Sequence, residues 1–158
     1  GLTADPIVSR SVVEGLPTLL EYYDGGDIDS LIKATELVVK QLIAEGHVTN
    51  EIAVLTVKGA ESSELLKQGS LGQYSFNKII GRTAAGDFEY SGGEILADTV
   101  FRFKGRSANC VVLTELDFED LDENRKRRLF VGLSRARLRL ALVMSKSAAK
   151  LLIGVVEN

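Results

Sequence analysis

The stretches TVFRFKGRSANCVVLTEL (residues 99–116) and RKRRLFVGLSRARLRLALVMS (residues 125–145) decide the fold of this chain. They predict a strand that ends in Lys-Gly, a second strand, an arginine-rich helix and a third strand. Ten of the chain's 19 Lys and Arg residues lie between Arg102 and Arg139. Arginines concentrated at strand ends and on one helix indicate a site for an anion, and phosphate fits their geometry best.

Length and composition are those of one soluble globular domain, with 158 residues, 45% hydrophobic and 26% charged. No apolar run approaches the roughly 18–20 residues that span a bilayer. Cys110 is the only cysteine and His47 the only histidine, which excludes an internal disulfide and a zinc site of several Cys or His ligands. A lone cysteine fits a reducing cytoplasm. The chain does not begin with Met, and we interpret it as a piece of a longer protein.

The net charge of −3 conceals an asymmetry between the two parts of the chain. Residues 1–98 hold 7 Lys and Arg against 15 Asp and Glu, whereas residues 99–158 hold 12 against 7. A polyanion would therefore bind locally, on the C-terminal part.

The order of the elements predicts an α/β domain with a mostly parallel sheet flanked by helices. Apolar periodicity, turn residues and caps predict the following elements outside the opening stretches: a strand at 17–23, a helix at 27–45, a strand buried on both faces at 51–57, a short helix at 61–68, a loop-rich region with one or two short strands at 69–93, and a last helix at 146–152.

The Lys-Gly loop follows a strand that we expect over 99–103. Alternation would place Thr99, Phe101 and Phe103 on one face, and Arg102 and Lys104 on the other. Gly105 would allow a sharp turn and a close approach of a ligand at the carboxyl edge of the sheet. A solvated strand end with a turn glycine remains the alternative interpretation.

The arginine helix carries two stripes. We expect Leu129, Phe130, Leu133 and Ala136 to face the sheet, and Arg128, Gly132 and Arg135 to share another side. A glycine inside a helix costs about 1 kcal/mol relative to Ala, so Gly132 indicates a close neighbour. Arg137 and Arg139 would stand at the helix C-terminus, where cations are favoured.

An acidic run, Asp117 to Glu123, precedes this helix. It could be read as a metal site, but carboxylates at a helix N-terminus complement the dipole, and Asp120 with Glu123 has capping-box spacing. We therefore predict no metal ligands in this chain.

Gly81 to Phe88 (GRTAAGDF) begins like a phosphate-binding loop. Asp87 and Phe88 stand where Lys and Ser or Thr are required, so neither the phosphate charge nor the Mg²⁺ ligand is present.

The two opening stretches resemble motifs V and VI of superfamily 1 helicases of the UvrD/Rep type. Residues 99–116 look like T-h-H-x-h-K-G-L-E-x-x-x-V, and RRLFVGLSRARLRLAL looks like R-R-L-h-Y-V-A/G-h-T/S-R-A-x-x-x-L. EIAVLTV resembles the strand that opens the conserved part of the second motor domain. The large insertion that many relatives carry before motif V is absent.

The resemblance implies that the chain is the second RecA-like domain of an ATP-dependent motor, and that ATP and Mg²⁺ bind between it and an N-terminal P-loop domain of the same protein. Arg135 would be the catalytic arginine finger. The implied nucleotide-binding residues are Gly105, Ser107, Ser134 and Arg135, and the implied contacts to single-stranded nucleic acid, most simply DNA, are Thr99, Phe101, Arg102 and Lys104.

Three departures from the family pattern stand out. The motif V histidine is Phe101 here, and the glutamate that contacts the nucleotide is Ser107, preceded by Arg106. A motif IV arginine has no clear match, with Arg10 the only candidate. A degenerate, non-catalytic module that binds nucleic acid or a protein partner is therefore the alternative to a motor domain. A stand-alone domain for a small phosphorylated ligand is a third possibility.

Overall fold

The computed structural model describes residues 18–103, 105–120 and 122–157, without the side chains of 153–157. The strands are β1 (Thr18–Tyr23), β2 (Ile52–Thr56), β3 (Ser70–Leu71), β4 (Tyr74–Asn77), β5 (Ile79–Arg82), β6 (Phe88–Tyr90), β7 (Ile95–Thr99), β8 (Ala108–Leu116) and β9 (Ala136–Ser145). The helices are α1 (Ile28–Ala44), α2 (Glu123–Leu133) and α3 (Lys146–Glu157), with a 3₁₀ turn at Thr49–Glu51.

Seven strands form one sheet in the order β1-β9-β8-β2-β7-β4-β3. All neighbours are parallel except β3 and β4, which pair antiparallel. Because parallel strands all end at the same edge, each connection must return the chain from the carboxyl edge of the sheet to its amino edge. Those returning segments carry the residues that the sequence singles out.

Two apolar cores lie on opposite faces of the sheet, as alternation along each strand requires. In β2, Ala53 and Leu55 belong to one core, and Ile52 and Val54 to the other. The first core also receives residues of α2 and α3, and the second receives α1. The predicted fold class, a mostly parallel sheet with helices on both faces, is confirmed.

Three early elements lie where the sequence predicts them. β1 and β2 occupy the two predicted strands, and all five residues of β2 are buried. Helix α1 begins after Asp27, whose side chain accepts a hydrogen bond from Ser30 N. It ends before Gly46, whose φ of +107° is in the left-handed region that glycine favours after a helix.

The predicted helix at 61–68 is wrong: this segment consists of turns and irregular chain. The buried carboxylate of Glu115, at the end of β8, accepts hydrogen bonds from Ser63 Oγ and Glu64 N. Lys78 Nζ donates to the carbonyls of Leu66 and Gln68, each at 2.7 Å. Side chains from elsewhere in the fold thus satisfy backbone groups that helical bonds would otherwise use.

The arginine helix is shorter than the sequence predicts, which corrects three expectations. α2 ends at Leu133, so Arg135, Arg137 and Arg139 are not helical. Its N-cap is Asp122, which accepts from Arg125 N at 2.8 Å, rather than Asp120. Phe130 is exposed, because Leu129, Gly132 and Leu133 form the buried side of the helix.

The loop-rich region 69–93 holds four short strands, more than predicted. β3 and β4 extend the main sheet, whereas β5 and β6 form a separate two-stranded hairpin. The P-loop-like segment is the turn of that hairpin, in which Thr83 N donates to Asp87 O at 2.8 Å.

Candidate nucleotide and nucleic-acid interface

Residues 100–107 return the chain from the carboxyl edge of β7 to the amino edge of β8. Phe103 is 1% exposed and lies midway, in the same apolar core as Leu129 and Leu133 of α2. The loop therefore runs across one face of the sheet beside α2, with Phe101 near the carboxyl edge and Ser107 near the amino edge.

The predicted strand at 99–103 is wrong, because β7 ends where that strand would begin. Val100 N still donates to Thr56 O, but Thr99 O accepts a turn hydrogen bond from Phe103 N at 3.1 Å. The predicted placement of Phe101 and Phe103 on one face is therefore also wrong, since Phe101 is 51% exposed whereas Phe103 is buried. The apolar run that forms the strand starts earlier, at Ile95.

Asp98 organises the start of this loop. Its carboxylate Oδ1 accepts from Thr99 N at 2.7 Å and from Arg102 Nε at 2.6 Å, and the side chain is 1% exposed. Thr99 Oγ1 accepts in turn from Arg102 N at 3.1 Å. Thr99 and Arg102 thus bond within the loop, a role that the sequence did not indicate. Lys104 lies outside the described residues, as does Arg10.

The second half of the loop turns towards the amino edge. Gly105 has a φ of +80°, which is the left-handed conformation expected for its turn. The Arg106 guanidinium lies over the Phe103 ring, 4.9 Å from its centroid, and Ser107 is exposed. A cavity of about 210 Å³ opens beside these residues and includes Arg106, Ser107 and Arg137 in its lining.

Arg135 lies in the turn between α2 and β9, next to the end of this loop. Its carbonyl accepts from Ala108 N at 3.0 Å, and its Nη1 is 3.5 Å from Arg106 O. Its Nε is buried and has no hydrogen-bond partner among the described residues. Ser134 caps the helix C-terminus, and its Oγ donates to Val131 O at 2.8 Å. The fold therefore brings Ser107 and Arg135, from two separate motifs, to one edge.

The guanidinium of Arg135 fits a phosphate group. Arginine binds phosphate oxygens through its planar N–H donors, and here no carboxylate among the described residues occupies them. No group of three or more His, Cys, Asp or Glu side chains suited to a metal occurs in the described part of the chain.

Arg139 has a structural role on β9. It forms two hydrogen bonds with the Glu45 carboxylate, at 2.9 and 2.8 Å, and ties the end of α1 to the sheet. Cys110, its partner in the β8–β9 register, is buried, and burial raises the pKa of its thiol to about 11. Glu51 nearby accepts from Val48 N and Asn109 Nδ2, and these hydrogen bonds lower the pKa of its carboxyl.

Helix α2 links the two edges of the sheet as the loop does. Its first turns stand near Phe101, where the Arg128 guanidinium lies 5.2 Å from the ring centroid, and its last turn leads to Arg135. The acidic run pairs with the helix itself, since Arg125 Nη1 bonds Asp120 at 2.7 Å and Asp122 at 3.1 Å. These carboxylates are thus engaged in pairs and caps.

Sequence reasoning missed a polar cluster at the carboxyl edge. Glu115 has a φ of +61°, and with Lys58 and Asp117 it lines two adjoining cavities of about 150 and 230 Å³. Burial, with the nearby charges of Asp117 and Glu115, raises the pKa of Tyr23 far above its usual value. The TEL sequence at the end of β8 reads as ordinary strand, so no signal marked the cluster.

A mostly parallel sheet, covered by helices on both faces and with cationic segments reaching both edges, defines a RecA-like α/β domain. Residues 94–143, which include β7, the loop, β8 and α2, match the family model described as UvrD-like helicase C-terminal domain. This segment, 50 of the 158 residues, is similar to that family and contains both motifs, so the match bears out the resemblance that they indicate.

A solved structure shares the fold. It is the crystal structure of the C-terminal domain of a possible DNA helicase from Lactobacillus plantarum WCFS1, with a TM-score of 0.54 and 18% sequence identity, over 94% of this chain and 90% of that chain. No curated protein matches the chain. None of the described helices is long and apolar enough to cross a membrane.

Proposed function

We propose that this chain is the second motor domain of an ATP-dependent superfamily 1 helicase or translocase acting on single-stranded DNA, and that Arg135 is its arginine finger. The observation that carries the proposal is that the loop and the helix end at the same edge of the sheet. There Arg135 Nη1 lies beside Arg106 O, and no described carboxylate pairs with the Arg135 guanidinium. ATP, when bound with Mg²⁺ against a P-loop domain, would supply the phosphoryl group that is transferred.

The residues of this chain would position the nucleotide and stabilise the transition state. The Arg135 guanidinium would stabilise the negative charge that develops on the transferred phosphoryl group. Arginine fingers of this kind raise turnover about 10³–10⁵-fold. Ser107 and Gly105 would bring backbone and hydroxyl groups to the same nucleotide, and Ser134 would hold the turn that presents Arg135. Closure and reopening of the cleft between two domains would move the strand along.

The carboxyl edge would contact the nucleic acid through Thr99, Phe101 and Arg102. Lys104, which lies outside the described residues, is the fourth contact that we propose. The family name and the DNA helicase neighbour support this assignment. A single, buried, unpaired cysteine is compatible with work in a reducing compartment such as the cytoplasm.

The test is the ATPase rate of the helicase that carries this chain with its P-loop domain, with and without single-stranded DNA. We expect DNA to stimulate turnover in the wild type and Arg135→Ala to lower it about 10³–10⁵-fold. Arg135→Lys should restore little, because an ammonium lacks the planar fork. Arg82→Ala, in the exposed hairpin, serves as the matched control and should turn over as the wild type does. If Arg135→Ala hydrolyses ATP at the wild-type rate, Arg135 is not an arginine finger.

A second candidate function is a non-catalytic module that binds nucleic acid or a protein partner. The replacement of the family's nucleotide-contacting glutamate by Ser107 favours it. The same assay separates the two, since a wild type that hydrolyses no ATP in either condition supports the module. A G-x-x-x-x-G-K-[ST] loop upstream in the same gene would support the motor.

A further inference from the structure

An exposed aromatic ring at the carboxyl edge lies against Arg128 of α2. Phe101 is 51% exposed, and the Arg128 guanidinium covers part of it at 5.2 Å from the centroid. A cavity of about 240 Å³ beside the ring is lined by Phe101, Asn124, Arg127, Arg128 and Val131. Phe101 is among the nucleic-acid contacts that the helicase resemblance implies, whereas Asn124, Arg127 and Arg128 are not.

The two arginines that line this cavity form no ion pair within the described part of the fold. Arg125 and Lys126 have carboxylate partners within the helix and the acidic run. Arg127 and Arg128 have none among the described residues. Two adjacent arginines without carboxylates, next to an exposed phenyl ring, form a surface suited to an anion that also carries a flat apolar group.

Single-stranded nucleic acid has this combination of groups. Proteins hold it by stacking bases on aromatic rings, with cations along the backbone and arginines adding cation–π contacts. Double-stranded DNA fits less well, since its bases are stacked internally and cannot reach the ring. The Asn124 carboxamide adds both a donor and an acceptor at the wall for the edge of a base.

We propose that Phe101, Asn124, Arg127 and Arg128 form a base-stacking pocket for single-stranded nucleic acid, in which one base lies on the open face of Phe101 and Arg127 contacts the adjacent phosphate. This inference rests on the proposed function and adds to it: the first turns of the arginine helix belong to the nucleic-acid site, whereas its C-terminal end serves the nucleotide. Arg128 clamps the opposite side of the ring and fixes its orientation.

The experiment measures binding of fluorescent 15-mers by the complete helicase, using oligo-dT, its abasic counterpart and oligo-rU, each over a series of salt concentrations. The wild type should bind oligo-dT more tightly than the abasic strand. Phe101→Ala should weaken oligo-dT binding roughly 5- to 150-fold, the range for loss of one stacked base, and should abolish the preference over the abasic strand. Arg127→Ala should keep that preference and lower the slope of log K against log salt by about 0.7.

The chain offers a matched control for the aromatic variant. Phe88, in the β5–β6 hairpin, is 41% exposed and has the Arg82 guanidinium 4.3 Å from its ring centroid. Phe88→Ala removes a comparable exposed, arginine-covered ring and should leave binding unchanged. Because Phe101 is half in solvent, its substitution should leave the fold intact, which thermal unfolding of the same variant verifies.

The outcomes separate the two proposals. If the wild type binds oligo-dT and Phe101→Ala binds it equally well, the pocket is overturned while the motor assignment stands. If equal loss occurs for oligo-dT and the abasic strand, the ring acts without stacking a base, which also overturns the pocket. A wild type that binds no single strand overturns both. Equal binding of oligo-dT and oligo-rU would assign the pocket to the base alone, without selection of the sugar.

Discussion

Leu113 of β8 fills the space that a side chain at position 132 of α2 would occupy. A Cβ atom added to Gly132 would stand 2.7 Å from Leu113 Cδ1 and 2.8 Å from its Cδ2, closer than real Cβ contacts. The absence of a side chain at Gly132 lets the helix lie directly on the strand between the two edges of the sheet. The close neighbour that the sequence predicts for Gly132 is therefore confirmed.

Gly132→Ala should destabilise the domain. Alanine favours a helix interior by about 1 kcal/mol over glycine, but overpacking a buried contact costs about 1–3 kcal/mol, and Leu113 is fully buried. We expect a net loss of about 1 kcal/mol in the free energy of unfolding, measured by urea denaturation. Gly81→Ala is the control, since nothing lies within 4 Å of its added Cβ. An increase in stability for Gly132→Ala would show that the helix shifts at no cost.

Asp98→Ala should loosen the loop that leads from Thr99 to Phe103. The substitution leaves Thr99 N and Arg102 Nε without their acceptor, and a buried donor without a partner costs about 1–3 kcal/mol. We expect that loss in urea denaturation. A double-mutant cycle with Arg102→Ala should show coupling, because the two side chains share one hydrogen bond. Additive effects would mean that the Asp98–Arg102 contact contributes little.

Lys78→Met should free the segment 66–68 without unfolding the sheet. The ammonium donates to two backbone carbonyls, and methionine keeps most of the apolar stem but no donor. Hydrogen exchange should quicken for amides in this segment, including Gln68 N, which donates to Leu65 O. Exchange in β8 should stay as it is. Unchanged protection at Gln68 would show that other contacts hold the segment.

Stability should fall at alkaline pH. Burial raises the pKa of Cys110 from its usual 9.0 to about 11 and that of Tyr23 still further, so the unfolded chain loses these protons first. The contribution of Cys110 is present below pH 9 and is lost progressively as the pH rises towards 11. Cys110→Ala should show a shallower decline over that range than the wild type in denaturation at fixed pH. Equal slopes would assign the effect to Tyr23.

The elements that the sequence predicts well are those that local chemistry determines. Asp27 and Gly46 bound α1 through capping, and the apolar run of β2 is buried on both faces. The errors arise where side chains bond to the backbone, in one case from a distant strand and in the other from within the same loop. Glu115, about fifty residues along the chain, accepts hydrogen bonds from Ser63 Oγ and Glu64 N, where the sequence predicts a helix. The side chains of Asp98 and Thr99 accept from Thr99 N and Arg102 N, and these bonds turn the chain where alternation predicted a strand.

The candidate site could be predicted only in part, because residues that are distant in the sequence form it. Motif order supplied Arg135 and Ser107, but only the three-dimensional path of the loop brings them to one edge. The sequence places Arg127 and Arg128 on an arginine-rich helix, but it does not reveal that they share a cavity with Phe101.

The β5–β6 hairpin is a place where the domain can accept an inserted segment. Its two strands pair only with each other, so lengthening the turn at 83–87 breaks no hydrogen bond of the seven-stranded sheet. Ile79 and Tyr90 are register partners, so a segment entering and leaving there would begin and end about 5 Å apart. An inserted segment at this point would leave both motifs in place, since they begin after the hairpin, at Thr99.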